Sequence, residues 1–339
     1  MTVAQLSAES SKLVERGDLD ELTVHVNRLV AGGRWAELEA LRTRCRLALE
    51  RGKQLWAVGA HIEYRLCLEA PGYWSALMLE TATGRFALGP LPEVAASTHS
   101  WAELSPHLHA TPQAAMAAHE RVMRSDDLTG DPFATSLPEV LDLPLCLQGW
   151  EPRYPLADYQ ADKLQAPPPA VAALRPVAPA PAPRTPARGE RDEACAALED
   201  LAGTWATESN GRAEAVSVRG GAPDAVSALG APLTQLAELS AGEALSLMAW
   251  AAASGGAYGR RRGAAPGRFG AWMAVAALGG RQGSWPLRAG DLEAALQDLR
   301  WYAWGSGEPP MGWALRLVVE STGGPHRGRA WALAALDAT

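Results

Sequence analysis

Residues 243–280 read EALSLMAWAAASGGAYGRRRGAAPGRFGAWMAVAALGG. Two apolar segments, Ala244–Ala253 and Phe269–Leu278, flank a stretch carrying Gly255, Gly256, Gly259, Gly263 and Gly267. The composition predicts two packed helices joined by a glycine-rich loop, with Ser240 capping the first. The loop carries Arg260, Arg261, Arg262 and Arg268. Glycines let backbone N–H groups converge, Pro266 can start a helix whose N-terminus favours negative charge, and guanidinium groups bind phosphate in bidentate fashion. The four arginines are therefore expected to point outward as an anion-binding cluster.

Downstream of this pair, Asp291–Leu299 reads as a helix leading into Trp301–Trp304. Trp313, Leu315, Leu317 and Val319 alternate as on one face of a strand, Gly323, Gly324 and Pro325 turn the chain, and Trp331, Leu333 and Ala335 line a returning strand. Upstream, Asp192–Glu208 reads as helix, Arg212–Arg219 as a strand, and Pro223–Leu229 and Pro232–Leu239 as short helices. Residues 190–339 are thus expected to form an α+β domain with a small antiparallel sheet of three or four strands.

Before that domain lies a Pro/Ala-rich segment, 166–189, with Pro167–Pro169, Pro176, Pro179, Pro181, Pro183 and Pro186. It is expected to be a semi-rigid polyproline linker. Residues 1–165 read as an all-α domain of helical hairpins. Asp18 caps Leu19–Val30, Gly32 and Gly33 stop that helix, and a second runs from Arg34 with Trp35, Leu38, Leu41 and Cys45 on its apolar stripe. Arg42, Arg44 and Arg46 lie away from the centre of that stripe. Leu55–Leu68 places Trp56, Ala60, Tyr64 and Cys67 on one face, and Thr111 caps Pro112–Arg124. The tetrapeptide Trp35–Leu38 recurs at Trp101–Leu104, a short match that chance reuse of helix-start residues explains. Residues 126–165, with Pro138, Pro144, Pro152 and Pro155, are expected to run extended along this domain, anchored by Leu145, Leu147, Trp150 and Tyr154.

Bulk properties narrow the function classes. Apolar residues make up 47% and charged residues 20% of the 339, as in folded proteins. Residues 1–165 carry 22 acidic and 15 basic side chains, and residues 166–339 carry 16 of each. The acidic half repels nucleic acid at long range. Cys45, Cys67, Cys146 and Cys195 have no metal-ribbon or redox spacing. No apolar run reaches the ~18 residues of a membrane span and no signal peptide is evident, so a cytoplasmic location without membrane association is expected.

Three segments, ERGKQLW (Glu50–Trp56), ESNGRAEAV (Glu208–Val216) and MAWAAASGGAYGRRRG (Met248–Gly263), resemble a family of proteins from high-GC bacteria that has no assigned activity. The resemblance extends over nearly the whole chain apart from the linker and implies no function.

Chemistry-bearing motifs are few. There is no phosphate-binding GxxxxGK[ST] loop, no GxSxG elbow, and His119–Met123 lacks the second histidine of a zincin helix. No catalytic residue, metal site or cofactor is expected; His99, His107 and His109 are ordinary histidines. Glu208, Asn210, Arg212 and Glu214 form a polar cluster at a helix-to-strand junction. Among the tryptophans, Trp250, Trp272, Trp313 and Trp331 fall on apolar faces and belong to the core, whereas Trp285, Trp301 and Trp304 are less constrained. The reading that follows is a non-enzymatic interaction protein. Its helical domain holds a protein partner in a groove between hairpins, and its Arg loop at 259–268 takes an acidic or phosphate-bearing ligand. Nucleic-acid binding by the Arg/Trp surface of the second domain is the alternative; an enzyme with a site near 208–214 and the Arg loop is a further one.

Overall fold

A computed structural model describes residues 7–49, 52–82, 84–170, 173–177, 189–307 and 312–338. The chain divides into two compact units, and both are discontinuous in sequence. The first comprises Met1–Val140 and Ala157–Gln165, the second Leu141–Leu156 and Ala166–Thr339. The extended segment expected over residues 126–165 is therefore shared: its middle part, Leu141–Leu156, packs in the second unit, and the stretches on either side of it belong to the first.

The first unit is helical: α1 Ala8–Arg16, α2 Leu19–Ala31, α3 Trp35–Leu49, α4 Trp56–Glu69, α5 Gly72–Thr81, α6 Leu91–Thr98, α7 Trp101–Leu104 and α8 Pro112–Val122. Local chemistry sets the ends. The Asp18 carboxylate accepts from the Glu21 amide, the Thr111 hydroxyl accepts from the Ala114 amide, and Ser100 with Glu103 closes a capping box on α7. The core is Leu22, Val26, Leu29, Leu38, Leu41, Ile62, Leu66 and their neighbours, all buried. A two-stranded ribbon, β1 Asp158–Tyr159 and β2 Leu164–Gln165, closes the unit. The Tyr159 hydroxyl donates to the buried Glu93 carboxylate at 2.6 Å, and the Tyr64 hydroxyl donates to the Gln160 carbonyl.

The second unit holds a sheet of six strands rather than a small one, in the order β3-β5-β6-β7-β8-β4, antiparallel throughout. Its elements are β3 Arg175–Pro176, α9 Glu193–Asp200, α10 Gly203–Glu208, β4 Arg212–Arg219, α11 Ala222–Ala228, β5 Gln235–Leu239, α12 Ala241–Ala253, α13 Ala264–Leu278, α14 Ala289–Gln297, β6 Leu299–Gly305, β7 Trp313–Ser321 and β8 Arg329–Asp337. Two expectations made the sheet too small. Gln235–Leu239 is a strand paired with Trp301–Gly305, not a helix. Arg175 and Pro176, inside the stretch expected to be linker, pair with Leu236 and Gln235 as the edge strand. Proline at this edge is compatible with pairing because it sits on the outermost strand. The remaining linker positions 178–188, with Pro179, Pro181, Pro183 and Pro186, lie outside the described residues.

The sheet is buried on both faces, which is why β7 and β8 read as near-continuous apolar runs. Val216, Val218, Val318, Ala330, Ala332 and Trp304 pack with α11 on one face. On the other, the Trp331 indole donates to the Asp192 carboxylate that caps α9. α12 begins with a capping box of Ser240 and Glu243, and it crosses α13 where Gly267 and Gly270 meet Ala249, Ala252 and Ala253. A β-carbon on Gly267 would fall on the Ala249 carbonyl oxygen and 2.9 Å from the Ala253 β-carbon, so this crossing requires glycine.

Candidate functional site

Arg268 does not belong to the loop. Gly263 adopts φ 114°, a conformation side chains rarely take, and α13 starts immediately after it. Pro266 fits in the first turn because its missing N–H would have no helical partner there. Arg268 is thereby carried onto the buried side of the helix, with a side chain only 1% exposed. It forms a two-pronged ion pair with Glu151, whose side chain is 0% exposed: Nε donates to Oε1 at 2.8 Å and Nη2 to Oε2 at 2.7 Å. Nη1 donates to the Pro144 carbonyl and Nη2 to the Cys146 carbonyl, both at 2.9 Å. Glu151 also accepts from the Trp272 indole, the Tyr154 hydroxyl and the Gln148 amide at 2.8, 2.7 and 2.8 Å. Burial alone would raise the Glu151 carboxyl, but the hydrogen bonds and charge of Arg268, with the Gln148 amide and the Trp272 indole, hold it below its ordinary value. Burial and the adjacent Glu151 charge push the Tyr154 hydroxyl far up, so it remains a donor. This constellation is a clasp fastening Leu141–Leu156 to α13. Arg268 is corrected from ligand-binding candidate to structural residue.

The other three arginines remain at the surface: Arg260 and Arg262 are exposed and Arg261 is half-buried. The loop backbone is tied to its own unit. The Arg260 amide donates to Glu208 Oε2 at 3.1 Å, the Tyr258 amide to the Ser209 hydroxyl at 3.1 Å, the Ala257 amide to Asp337 Oδ2 at 2.6 Å, and the Arg262 amide to the Ala253 carbonyl at 2.8 Å. Of the polar cluster, Glu208 thus meets the loop. Asn210, Arg212 and Glu214 are exposed, the last two on the edge strand β4 opposite Leu336 and Ala334.

The tryptophans close on one another. Trp250 stacks on Trp313 with ring centres 5.2 Å apart, and Trp205, which no apolar stripe in the sequence singles out, sets its edge against both at 5.8 and 6.2 Å. Trp301 and Trp304, expected to be less constrained, are buried strand residues. The histidines do not converge either: His109 pairs with Glu80 at 2.6 Å, whereas His107 packs edge-on against Tyr73.

An open cleft of about 640 Å³ occurs instead in the helical unit, a volume typical of ligand and side-chain pockets. α3 contributes Cys45, Arg46 and Leu47, α4 contributes Trp56, Ala60 and Glu63, and the turn after α5 contributes Arg85 and Phe86. Three large apolar side chains around it face water: Leu47 at 44%, Trp56 at 44% and Phe86 at 53%. Single exposed apolar residues are ordinary, but three around one concavity form a patch. Trp56 and Phe86 pack with ring centres 4.3 Å apart, and the Arg85 guanidinium lies 5.4 Å over the Phe86 ring. Burial pushes the Cys45 thiol up to about 12, so the floor there is uncharged. Glu63 is buried and paired with Arg42 at 3.2 Å, and Arg46 approaches it at 3.8 Å. Arg42 is itself buried, not on the solvent side of α3 as its position off the stripe suggests. Trp56 also departs from its expected place: Tyr64 and Cys67 on the same stripe are buried, but Trp56 at the first position of α4 overhangs the core. The signal in the sequence was that Phe86 belongs to no apolar stripe, so nothing inside the fold required it.

A family described as one of unknown function, DUF6183, matches residues 20–339. The chain belongs to the DUF6183 family. The match begins within α2 and spans the cleft, the clasp and the six-stranded sheet. No curated protein and no solved structure matches the chain. In this DUF6183 protein the roles of residues rest on geometry, and no helix among the described residues is long and apolar enough to cross a membrane.

Proposed function

We propose that this protein is a non-enzymatic, cytoplasmic interaction protein whose helical unit holds a segment of a partner protein in the cleft between α3 and α4. The observation that carries the reading is the exposure of Leu47, Trp56 and Phe86 around one cavity. Each is about half exposed, so a partner covering it would return about half of the ~1.5–3 kcal/mol that full burial of such a side chain is worth. Rigid aromatics in a concave site are the usual anchors of protein association. The Arg loop at 259–268 offers less to an outside anion than its sequence suggests. Arg268 is inside the clasp, and two of the loop amides already face carboxylates of the same chain, Glu208 and Asp337.

The test is site-specific crosslinking. A photoreactive amino acid at Leu47 in cells identifies what occupies the cleft. Purified partner should then bind the Trp56→Ala/Phe86→Ala variant more weakly by about 2 kcal/mol or more, as for interface anchors. Unchanged affinity for the crosslinked partner overturns the reading.

A further inference from the structure

We infer that the segment held in the cleft is acidic as well as apolar: a stretch of a partner protein whose Leu, Ile or Phe side chains seat against Trp56 and Phe86 while flanking Asp or Glu side chains meet Arg46 and Arg85. This rests on the cleft reading above. The inference comes from which charges face the opening. Arg46, Arg85 and Glu63 are the charged groups of the lining. Glu63 is 3% exposed and sealed against Arg42, which also holds Glu39 at 2.7 Å. Arg46 and Arg85 are exposed. The exposed charges of the lining are therefore two guanidinium groups, one on α3 and one on the turn after α5, beside an apolar floor. Their sign is opposite to the net charge of residues 1–165, which carry 22 acidic against 15 basic side chains. A basic segment would meet like charge at the rim; a neutral one would partly desolvate both guanidinium groups, and Arg46 would keep only its 3.8 Å approach to Glu63 and its 3.3 Å bond to the Thr81 carbonyl. Arg85 is preset for the role, because its stacking over Phe86 holds the guanidinium beside the apolar seat.

Fluorescence anisotropy with the full chain tests this, using short labelled peptides that share apolar residues at helical spacing and differ only in having Glu, Gln or Lys between them. The Glu peptide should bind about tenfold tighter than the Gln peptide, the effect of two partly exposed ion pairs, and the Lys peptide weakest. Arg46→Glu/Arg85→Glu should reverse the order of the Glu and Lys peptides. Trp56→Ala/Phe86→Ala should abolish binding of all three while the helical unit still unfolds in a cooperative thermal transition. Equal binding of the Glu and Gln peptides, or an unchanged order in the charge-reversed variant, overturns the acidic preference while the cleft reading stands. If no peptide binds, or if a small aromatic carboxylic acid occupies the cleft and excludes the peptides, both fall.

Discussion

Arg268 and Glu151 are joined by five donors on one carboxylate and by two carbonyls on one guanidinium, all out of water. A pair satisfied this completely tolerates no partial replacement. Arg268→Ala should destabilise the second unit by about 3–5 kcal/mol in urea unfolding, because Glu151 is left charged and buried. Arg268→Lys should recover little, since an ammonium cannot span both carboxylate oxygens and two carbonyls. Replacing both partners by apolar residues should also fail, because Tyr154, Trp272 and the Pro144 and Cys146 carbonyls lose their partners with them. A second residue-scale prediction concerns His25. Its Nε2 lies 2.7 Å from the Ser10 hydroxyl, whose single proton goes to Glu37, so the imidazole donates here. Burial lowers the His25 pKa below 6.5, more than the nearby Glu9 raises it. The folded state thus binds the proton less readily than the unfolded chain. His25 contributes its stability above pH 6.5 and loses it as pH falls toward the folded value. His61, lowered first by burial and then by Arg65, adds in the same direction. Unfolding of the helical unit measured from pH 7.5 to 5.5 should show falling stability, and His25→Gln should flatten the slope. None of this was visible in the sequence: Arg268 follows a run of glycine and arginine and reads as loop, and its partner lies 117 residues away.

Individual elements were more legible than their partners. Periodicity and capping located α2, α3, α4, α8, α12, β4, β7 and β8 to within a few residues, because those signals are local. Gln235–Leu239 was misread as helix because a strand of five residues between a proline and a helix cap shows too little alternation. Its pairing with Trp301–Gly305 decides its conformation from outside. The crossing of α12 and α13 yields a prediction with two opposed effects. In a helix, Gly→Ala ordinarily stabilises by about 1 kcal/mol. At Gly267 the new methyl would collide with the Ala249 carbonyl and Ala253, and overpacking of that kind costs about 1–3 kcal/mol. Gly267→Ala should therefore lower the melting temperature. Gly290→Ala in α14, where a β-carbon meets nothing within 4 Å, should raise it slightly. Differential scanning calorimetry of the two variants checks both signs.

For the molecule as a whole, the composition shift at residues 166–189 gave a natural place to divide the chain, and the compact units do not follow it. Proline content marks where helix cannot continue; it carries no information about which earlier segment a later helix will recruit. A fragment of residues 166–339 lacks Glu151 and the Pro144 and Cys146 carbonyls, so Arg268 would be buried without a counter-charge. It should be insoluble or unfold without cooperativity, whereas residues 141–339 should give a single cooperative transition by tryptophan fluorescence. The cleft was anticipated only as a groove somewhere between helical hairpins. Its position could not be read from the sequence, because exposed Trp56 is indistinguishable by spacing from the buried residues that follow it.

The separation of the clasp along the chain has a temporal side. Glu151 leaves the ribosome 117 residues ahead of Arg268, a lag of about 6–23 s at ordinary elongation rates. Through that interval the nascent Leu141–Leu156 strip has no helix to dock on, and its leucines and Trp150 stand ready for whatever chaperone reaches them first.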